Sequence, residues 1–183
     1  TLFPYTTLFR STNRYQVPLL WRSQERPHLA TSSHTVMARL RSIERKLDRD
    51  HALATAYCAK MQQLIDDGLV KSVEDDDTNL AWHIPHHAVI KGDKVRVVFD
   101  CSFRYGGTSL NDQLLPGPDL LPSLFGVLLR YRQHEVSLSS DIKAMFHQVR
   151  LSDDDGRYLR FLWRGMDREQ TPQVYQWRVV IRS

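Results

Sequence analysis

The spacing of apolar residues changes from helical to alternating along this chain, and no other feature constrains the fold as much. Early in the chain, apolar residues recur every three or four positions after Ser32 and Ser33, which can cap a helix. Asp50 can cap a second helix, and Gly68 supplies the left-handed residue that ends it. The predicted core-facing positions are Val36, Met37, Leu40, Ile43 and Leu47, then Leu53, Tyr57, Met61, Leu64 and Ile65.

Later segments alternate instead, as strands do. The clearest is a predicted hairpin, His87–Lys91 and Lys94–Asp100 around a Gly92-Asp93 turn. Further predicted elements are a helix at Asp119–Arg132 and strands at Val136–Asp141, Tyr158–Trp163 and Val174–Ile181. Helices mixed with short strands favour an α+β fold over a doubly wound sheet, and no glycine-rich phosphate loop is present.

The two periods also predict which side chains face the core. In the second hairpin strand, Val95, Val97 and Phe99 share one face, and the other face carries Lys94, Arg96, Val98 and Asp100. In the predicted Asp119–Arg132 helix and the strand after it, the inward positions are Leu120, Leu121, Leu124, Leu128, Tyr131, Val136 and Leu138.

Composition excludes several classes of protein. The 183 residues carry 25 Lys and Arg against 21 Asp and Glu, a formal net charge of +4, and 42% are hydrophobic, enough for a packed core. The longest apolar run, Leu124–Leu129 with Gly126 included, is far shorter than the roughly 20 residues a membrane span needs. Two cysteines, Cys58 and Cys101, make no disulfide framework, which favours a reducing compartment inside the cell. We interpret both as buried structural thiols.

Charged residues cluster in three places. Basic residues fill the outer face of the first predicted helix, which is either a solvated surface or a surface that lies along a phosphate backbone. They are Arg39, Arg41, Arg45, Lys46 and Arg49. The acidic runs Glu74–Asp77 and Asp153–Asp155 are interpreted as solvated loops. His83, His86 and His87 are interrupted by Pro85 and have no cysteine at ligand spacing, which argues against zinc.

Asp141 is the residue whose position most strongly suggests a chemical role. It stands at the end of a predicted buried strand, where the chain turns into a short helical segment. Burying a carboxylate is costly unless a positive group meets it, so Asp141 is an ion-pair partner, a helix cap or a metal ligand. The residues by themselves leave these three roles open.

Several motifs resemble those of a known family. Asp141-Ile142-Lys143-Ala144-Met145-Phe146-His147-Gln148 resembles motif A of reverse transcriptases, and Arg96-Val97-Val98-Phe99-Asp100 with Ser109-Leu110-Asn111 resembles their fingers motif. Trp82–His87, Gly107–Leu115 and Gly117–Leu120 are similar to the BEL/Pao class of long-terminal-repeat retrotransposons. The resemblance runs from about Tyr15 to Val180.

The resemblance implies a division of the chain into parts of a right-hand polymerase. Residues 12–80 would be an N-terminal arm and two helices leading into the fingers. Residues 81–135 would be the fingers hairpin with a connecting helix, and residues 136–183 the start of a palm. Residues 1–11 resemble the in-frame translation of a sequencing adapter and are expected to lie outside the natural chain. Because the sequence stops inside a predicted strand, we expect a fragment of a longer reading frame.

The same resemblance implies a chemistry of nucleotide addition with two Mg²⁺ ions. Asp141 would bridge both ions, and the backbone carbonyl of Ile142 would add a ligand. Backbone amides at Ala144 and Met145 would meet phosphate oxygens. Phe146 would pack under the sugar and exclude a 2′-hydroxyl, so that DNA is the product.

Basic and polar side chains would bind the incoming nucleotide. The resemblance implies that Arg96 donates to the triphosphate with a planar fork, and that Lys94 or Lys91 adds a point charge. Without the resemblance, Lys94 and Arg96 are equally well explained as exposed strand residues paired with Asp100. Gln148 would lie near the templating base pair. The implied partners are a primed RNA or DNA template, deoxynucleotides and the rest of the Pol polyprotein, in the cytoplasm, the nucleus or a virus-like particle.

One motif of the family is missing. No Tyr-x-Asp-Asp sequence occurs in the chain, so the remaining carboxylates for two Mg²⁺ ions are absent. Three hypotheses remain: part of a retrotransposon RNA-directed DNA polymerase that is inactive by itself, a non-catalytic nucleic-acid-binding remnant, and an α+β interaction domain with fortuitous motifs. We expect no DNA synthesis from this chain alone.

Overall fold

The computed structural model describes residues 9–11, 14–29, 33–74 and 81–181, and these form a mixture of helices and short strands. The larger helices are α1 (Ser33–Arg49), α2 (His51–Asp66) and α4 (Leu124–Tyr131), with single turns at α3 (Leu110–Gln113) and α5 (Asp153–Gly156). The strands are β1 (Phe9–Ser11), β2 (Arg14–Val17), β3 (Val70–Val73), β4 (His86–Lys91), β5 (Lys94–Phe99), β6 (Val149–Leu151), β7 (Arg160–Trp163) and β8 (Gln173–Trp177). The α+β prediction is confirmed at this level.

The strands form three small sheets. The first has the order β1-β2-β6, in which β2 and β6 are parallel; the second is antiparallel with the order β3-β8-β7; the third is the β4-β5 hairpin. Residues 9–11 thus form an edge strand, although residues 1–11 were expected to lie outside the natural chain. Residues 1–8 lie outside the described part.

The first two helices follow the predicted apolar pattern. Val36, Leu40, Ile43 and Leu47 are buried in α1, and Leu53, Tyr57 and Met61 in α2. Asp50 accepts a hydrogen bond from the Leu53 amide at 2.9 Å, as an N-cap does. At the other end of α2, Gly68 has a φ of +63°. The Gly68 and Leu69 amides donate back to the Ile65 and Leu64 carbonyls, which is a Schellman motif.

The core lies where these helices meet the β3-β8-β7 sheet and the hairpin. Phe99, at the end of β5, packs edge-on against Phe161 and Trp177, with ring centroids 4.8 and 4.9 Å apart. Tyr57 and Trp82 are fully buried. The hairpin is therefore fixed at its base by aromatic packing, while its Gly92-Asp93 turn is exposed.

Two predictions for residues 119–141 are wrong. α4 begins at Leu124 rather than Asp119, because Pro122 disfavours helical geometry at the preceding Leu121. The predicted strand Val136–Asp141 is irregular and exposed, since no described strand lies beside it to pair with. All seven predicted inward side chains of this region are exposed: Leu120, Leu121, Leu124, Leu128, Tyr131, Val136 and Leu138.

The other strand predictions are confirmed with shifted ends. β7 lies within the strand predicted at 158–163, and β8 overlaps the strand predicted at 174–181 but begins one residue earlier and ends at Trp177. Of the predicted acidic turn at 74–77, only Glu74 lies within the described residues, and it is exposed. No helix in the described residues combines the length and apolar character needed to cross a bilayer.

Candidate functional site

The hairpin presents Lys94 and Arg96 on its open face. Both side chains are exposed, whereas Val95 and Val97 are half-buried and Phe99 is buried. The predicted alternation is confirmed from Lys94 to Val97, whereas Val98 and Asp100, predicted on the charged face, are half-buried. Gly92 adopts a φ of +56°, which a tight turn between paired strands requires and which other residues rarely adopt. Lys91 and Lys94 close the ladder opposite each other.

Asp141 is not at the end of a buried strand. It lies in an exposed irregular segment, with Ile142 63% exposed beside it. The desolvation argument made from the sequence therefore does not apply to its carboxylate. The predicted helical segment does follow, as a 3₁₀ helix over Met145–Gln148.

The turn after Asp141 has an unusual backbone. Ala144 has a φ of +49°, the one positive value at a non-glycine position in the described residues. Such a conformation costs about 1 kcal/mol and is kept where the surroundings require it. Gln148 donates from Nε2 to the Lys143 carbonyl at 3.2 Å, which closes the turn. Met145 and Phe146 are 50% and 40% exposed, so both are accessible to a ligand.

A cleft joins the hairpin to this turn. It has a volume of about 440 Å³ and is lined by Arg96 of β5, His147 of the 3₁₀ helix and Lys60 of α2, over Phe99 and Trp177. A second cleft of about 450 Å³ is lined by Lys94 and again by Lys60 and Arg96. The two sequence regions that carry the family resemblance therefore meet in space.

The predicted site residues divide into two groups. Lys94 and Arg96 line the clefts. Asp141, Ile142, Ala144, Met145, Phe146 and Gln148 lie in or next to the turn that contributes His147, but do not themselves line the clefts. Partial burial lowers the pKa of His147, which keeps its imidazole neutral at pH 7.

The chain does not provide a complete metal site among its described residues. No group of three or more His, Cys, Asp or Glu side chains is placed to hold an ion there. Asp141 with the Ile142 carbonyl is a partial ligand set, and two Mg²⁺ ions require more oxygen ligands than these.

Of the three neighbouring histidines His83, His86 and His87, His86 has a structural role. His86 is buried, and its Nδ1 accepts a hydrogen bond from the Tyr57 hydroxyl at 2.6 Å. Its Nε2 donates to the Leu162 carbonyl at 2.9 Å, so both ring nitrogens are occupied. Cys101 is buried and burial raises its pKa to about 12, while Cys58 is half-buried. The interpretation of both cysteines as buried structural thiols is therefore confirmed for Cys101 and only in part for Cys58.

Sequence reasoning missed the role of Asp155. The acidic run was interpreted as a solvated loop, yet the Asp155 side chain is completely buried. It accepts hydrogen bonds from the Leu19 amide and from Trp21 Nε1, both at 3.1 Å, and its Oδ1 lies 3.4 Å from the Arg26 guanidinium. Ser152 caps the same turn through the Asp155 amide. The Ser-x-x-Asp spacing of a capping box was the available signal.

Comparison with known proteins adds no family. No protein-family model matches the chain, and no curated protein is similar to it at a significant level. The resemblance described above therefore rests on the sequence motifs alone.

Proposed function

We propose that this chain is the fingers and the N-terminal part of the palm of an RNA-directed DNA polymerase of the BEL/Pao retrotransposon class. In this proposal the chain binds primed template and nucleotide, and does not catalyse nucleotide addition by itself. One observation carries the proposal. Arg96 and His147, which belong to two separate motifs of the resemblance, line one open cleft.

The electrostatics of the hairpin support binding of phosphates. Lys94 and Arg96 are exposed on one face, and no ion pair to Asp100 ties them down. Asp100 instead accepts hydrogen bonds from the Ser102 amide and hydroxyl. The alternative explanation requires an ion pair between Asp100 and these two cations, and none is present among the described residues. Free guanidinium and ammonium groups at a cleft are suited to phosphate oxygens.

Binding of a primed template tests this proposal. A fluorescently labelled RNA template with a DNA primer is titrated with the chain and with the double variant Lys94→Ala, Arg96→Ala, at several salt concentrations. We expect the variant to bind about tenfold more weakly, and to release about two fewer counterions. The matched control is Arg130→Ala with Arg132→Ala, which removes the same charge from the exposed end of α4. Equal affinity of all three proteins contradicts the proposal.

A non-catalytic nucleic-acid-binding remnant is the second candidate, and the basic face of α1 favours it. The cations Arg39, Arg41, Arg45, Lys46 and Arg49 are all exposed. If α1 is the binding surface, Arg41→Ala with Arg45→Ala weakens binding more than the hairpin variant does. The two double variants carry equal charge, so their order of affinity separates the candidates.

Primer extension tests the catalytic part. We expect no incorporation of deoxynucleotides by this chain with Mg²⁺, because no three His, Cys, Asp or Glu side chains of the described residues are grouped so that they could hold an ion. Incorporation that disappears in Asp141→Asn would contradict this expectation. Fusion of this chain to a downstream palm segment that carries a Tyr-x-Asp-Asp motif provides the positive arm, in which synthesis is expected to appear and to be abolished by Asp141→Asn.

A further inference from the structure

Lys60 lies where both clefts beside the hairpin meet. It is an exposed residue of α2, and it lines the first cleft with Arg96 and the second with Lys94 and Arg96. The motifs of the family resemblance do not include it. In the described residues its ammonium group makes one hydrogen bond, to Gln63 Oε1 at 3.2 Å. Two of its three N–H donors are therefore left for a ligand.

The lining of the clefts is positively charged. Lys60, Lys94 and Arg96 contribute three cations, and Asp93 is the one carboxylate that lines either cleft. The cations come from two separate elements, α2 and β5, which pack against each other. Cations that converge from two sides surround an anion better than a row along one strand, because the charges act from different directions on the same oxygens.

The floor of the first cleft has a different chemistry. Phe99 and Trp177 lie beneath it, and the His147 ring lies 5.8 Å from the Trp177 ring. Trp177 is 2% exposed, and its indole Nε1 has no hydrogen-bond acceptor in the described residues. A buried N–H without an acceptor is rare in proteins. The floor is formed by aromatic side chains and is therefore largely apolar.

We propose that Lys60 is a third phosphate-binding residue, which together with Lys94 and Arg96 holds the polyphosphate of a nucleotide while the aromatic floor contacts its ring. This inference rests on the proposed function, which includes nucleotide binding, and adds Lys60 to the residues of that cleft. The volume of about 440 Å³ falls in the range of small-molecule sites. Arg96 supplies a planar fork and the two lysines supply mobile point charges.

Calorimetric titration of the full chain with tripolyphosphate, dATP and deoxyadenosine tests the inference. We expect Lys60→Gln to weaken tripolyphosphate and dATP about tenfold, and Lys60→Arg to retain affinity within about twofold. Deoxyadenosine has no phosphate, so its weaker binding is expected to be equal in all variants. Arg130→Gln, which removes an exposed cation of α4, is the matched control and should bind like the unmodified chain. Because Lys60 is exposed, its variants are expected to keep the thermal midpoint of the unmodified chain.

The outcomes separate this inference from the proposed function. If Lys60→Gln binds both ligands normally while Lys94→Ala with Arg96→Ala does not, Lys60 has no role and the proposed function stands. If the unmodified chain binds primed template but neither tripolyphosphate nor dATP, the phosphates belong to a nucleic-acid backbone and the nucleotide assignment is wrong. If nothing binds, both proposals fail.

Discussion

α1 and α4 are both amphipathic in sequence, yet they end in opposite surroundings. Val36, Leu40 and Leu47 of α1 are at most 3% exposed, whereas Leu124 and Phe125 of α4 are each 72% exposed. α1 packs against α2, β4 and β7, and no described element packs extensively against α4. Apolar spacing predicts that a helix forms and which face is apolar. Burial of that face depends on a second surface.

The same contrast holds for polar groups. Glu44 of α1 is 3% exposed and is held by the Arg164 guanidinium through two hydrogen bonds of 2.8 and 2.9 Å. Asp141 is exposed and lies near no described partner that neutralises it. A carboxylate in the core is thus a stability element, and one in the exposed segment is available for binding.

The largest effect is expected from Arg164→Met. This change removes both hydrogen bonds from Arg164 to the buried Glu44 carboxylate, and among the described residues only the Arg168 guanidinium, 3.6 Å from Glu44 Oε1, still neutralises it. The loss is expected to be about 3 kcal/mol of unfolding free energy, the lower end of the range for a broken buried ion pair. Chemical denaturation measures the loss. The control Arg130→Met removes an exposed cation from α4 and should change stability by less than about 0.5 kcal/mol. Similar losses in both variants would show that the two regions do not differ in this way.

The next prediction compares the same leucine-to-alanine substitution in the core and in the exposed segment. Leu47 is 1% exposed and Leu121 is 85% exposed. Leu47→Ala should lower the free energy of unfolding by about 3 kcal/mol, because it removes buried methyl groups and leaves a cavity. Leu121→Ala should have almost no effect. A large loss for Leu121→Ala in denaturant titrations would reveal that the exposed segment is buried in solution.

Sequence patterns predicted the core far better than the exposed segment, for a physical reason. The two ends of α2, at Asp50 and at Gly68, and the faces of β5 are determined by residues only a few positions apart in the sequence. The strand predicted at 136–141 required a partner strand, which local spacing does not supply. Asp155 likewise meets Leu19 and Trp21, more than 130 residues earlier. The candidate cleft needed both kinds of information, since Lys60 joins it only through tertiary packing.

Acid should weaken the core and leave α4 unaffected. Burial lowers the pKa of His86 to about 4, with Tyr57, His87 and Glu44 as its polar neighbours. An unfolded histidine has a pKa of about 6.5, so the unfolded chain binds more protons between these values. Stability that is present above pH 6.5 is therefore lost as the pH falls towards 4. We expect a loss of about 2 kcal/mol between pH 7 and pH 5.

Urea titrations at the two pH values measure this loss, and His86→Gln provides the control. The variant lacks the titrating ring and should lose less stability on acidification, while half-buried His147 still contributes in the same direction. Asp112 and Asp153, whose pKa values are lowered, lose their stabilising charge below this window. Equal pH dependence of the two proteins would assign the acid sensitivity to groups other than His86.

The smallest effect comes from adding one methyl group in each region. A Cβ at Gly156 would lie 2.7 Å from Gln176 Nε2 and 2.8 Å from the Trp177 carbonyl, so Gly156→Ala should lower stability by about 1–2 kcal/mol. A Cβ at Gly126 of α4 would meet only the flexible Arg130 side chain, at 3.8 Å. Gly126→Ala should leave global unfolding unchanged and slow amide exchange in α4 about twofold to fivefold, because alanine favours the helix by about 0.5–1 kcal/mol. If Gly126→Ala instead raised the global midpoint, α4 would unfold together with the core, and the contrast between the two regions would concern exposure alone.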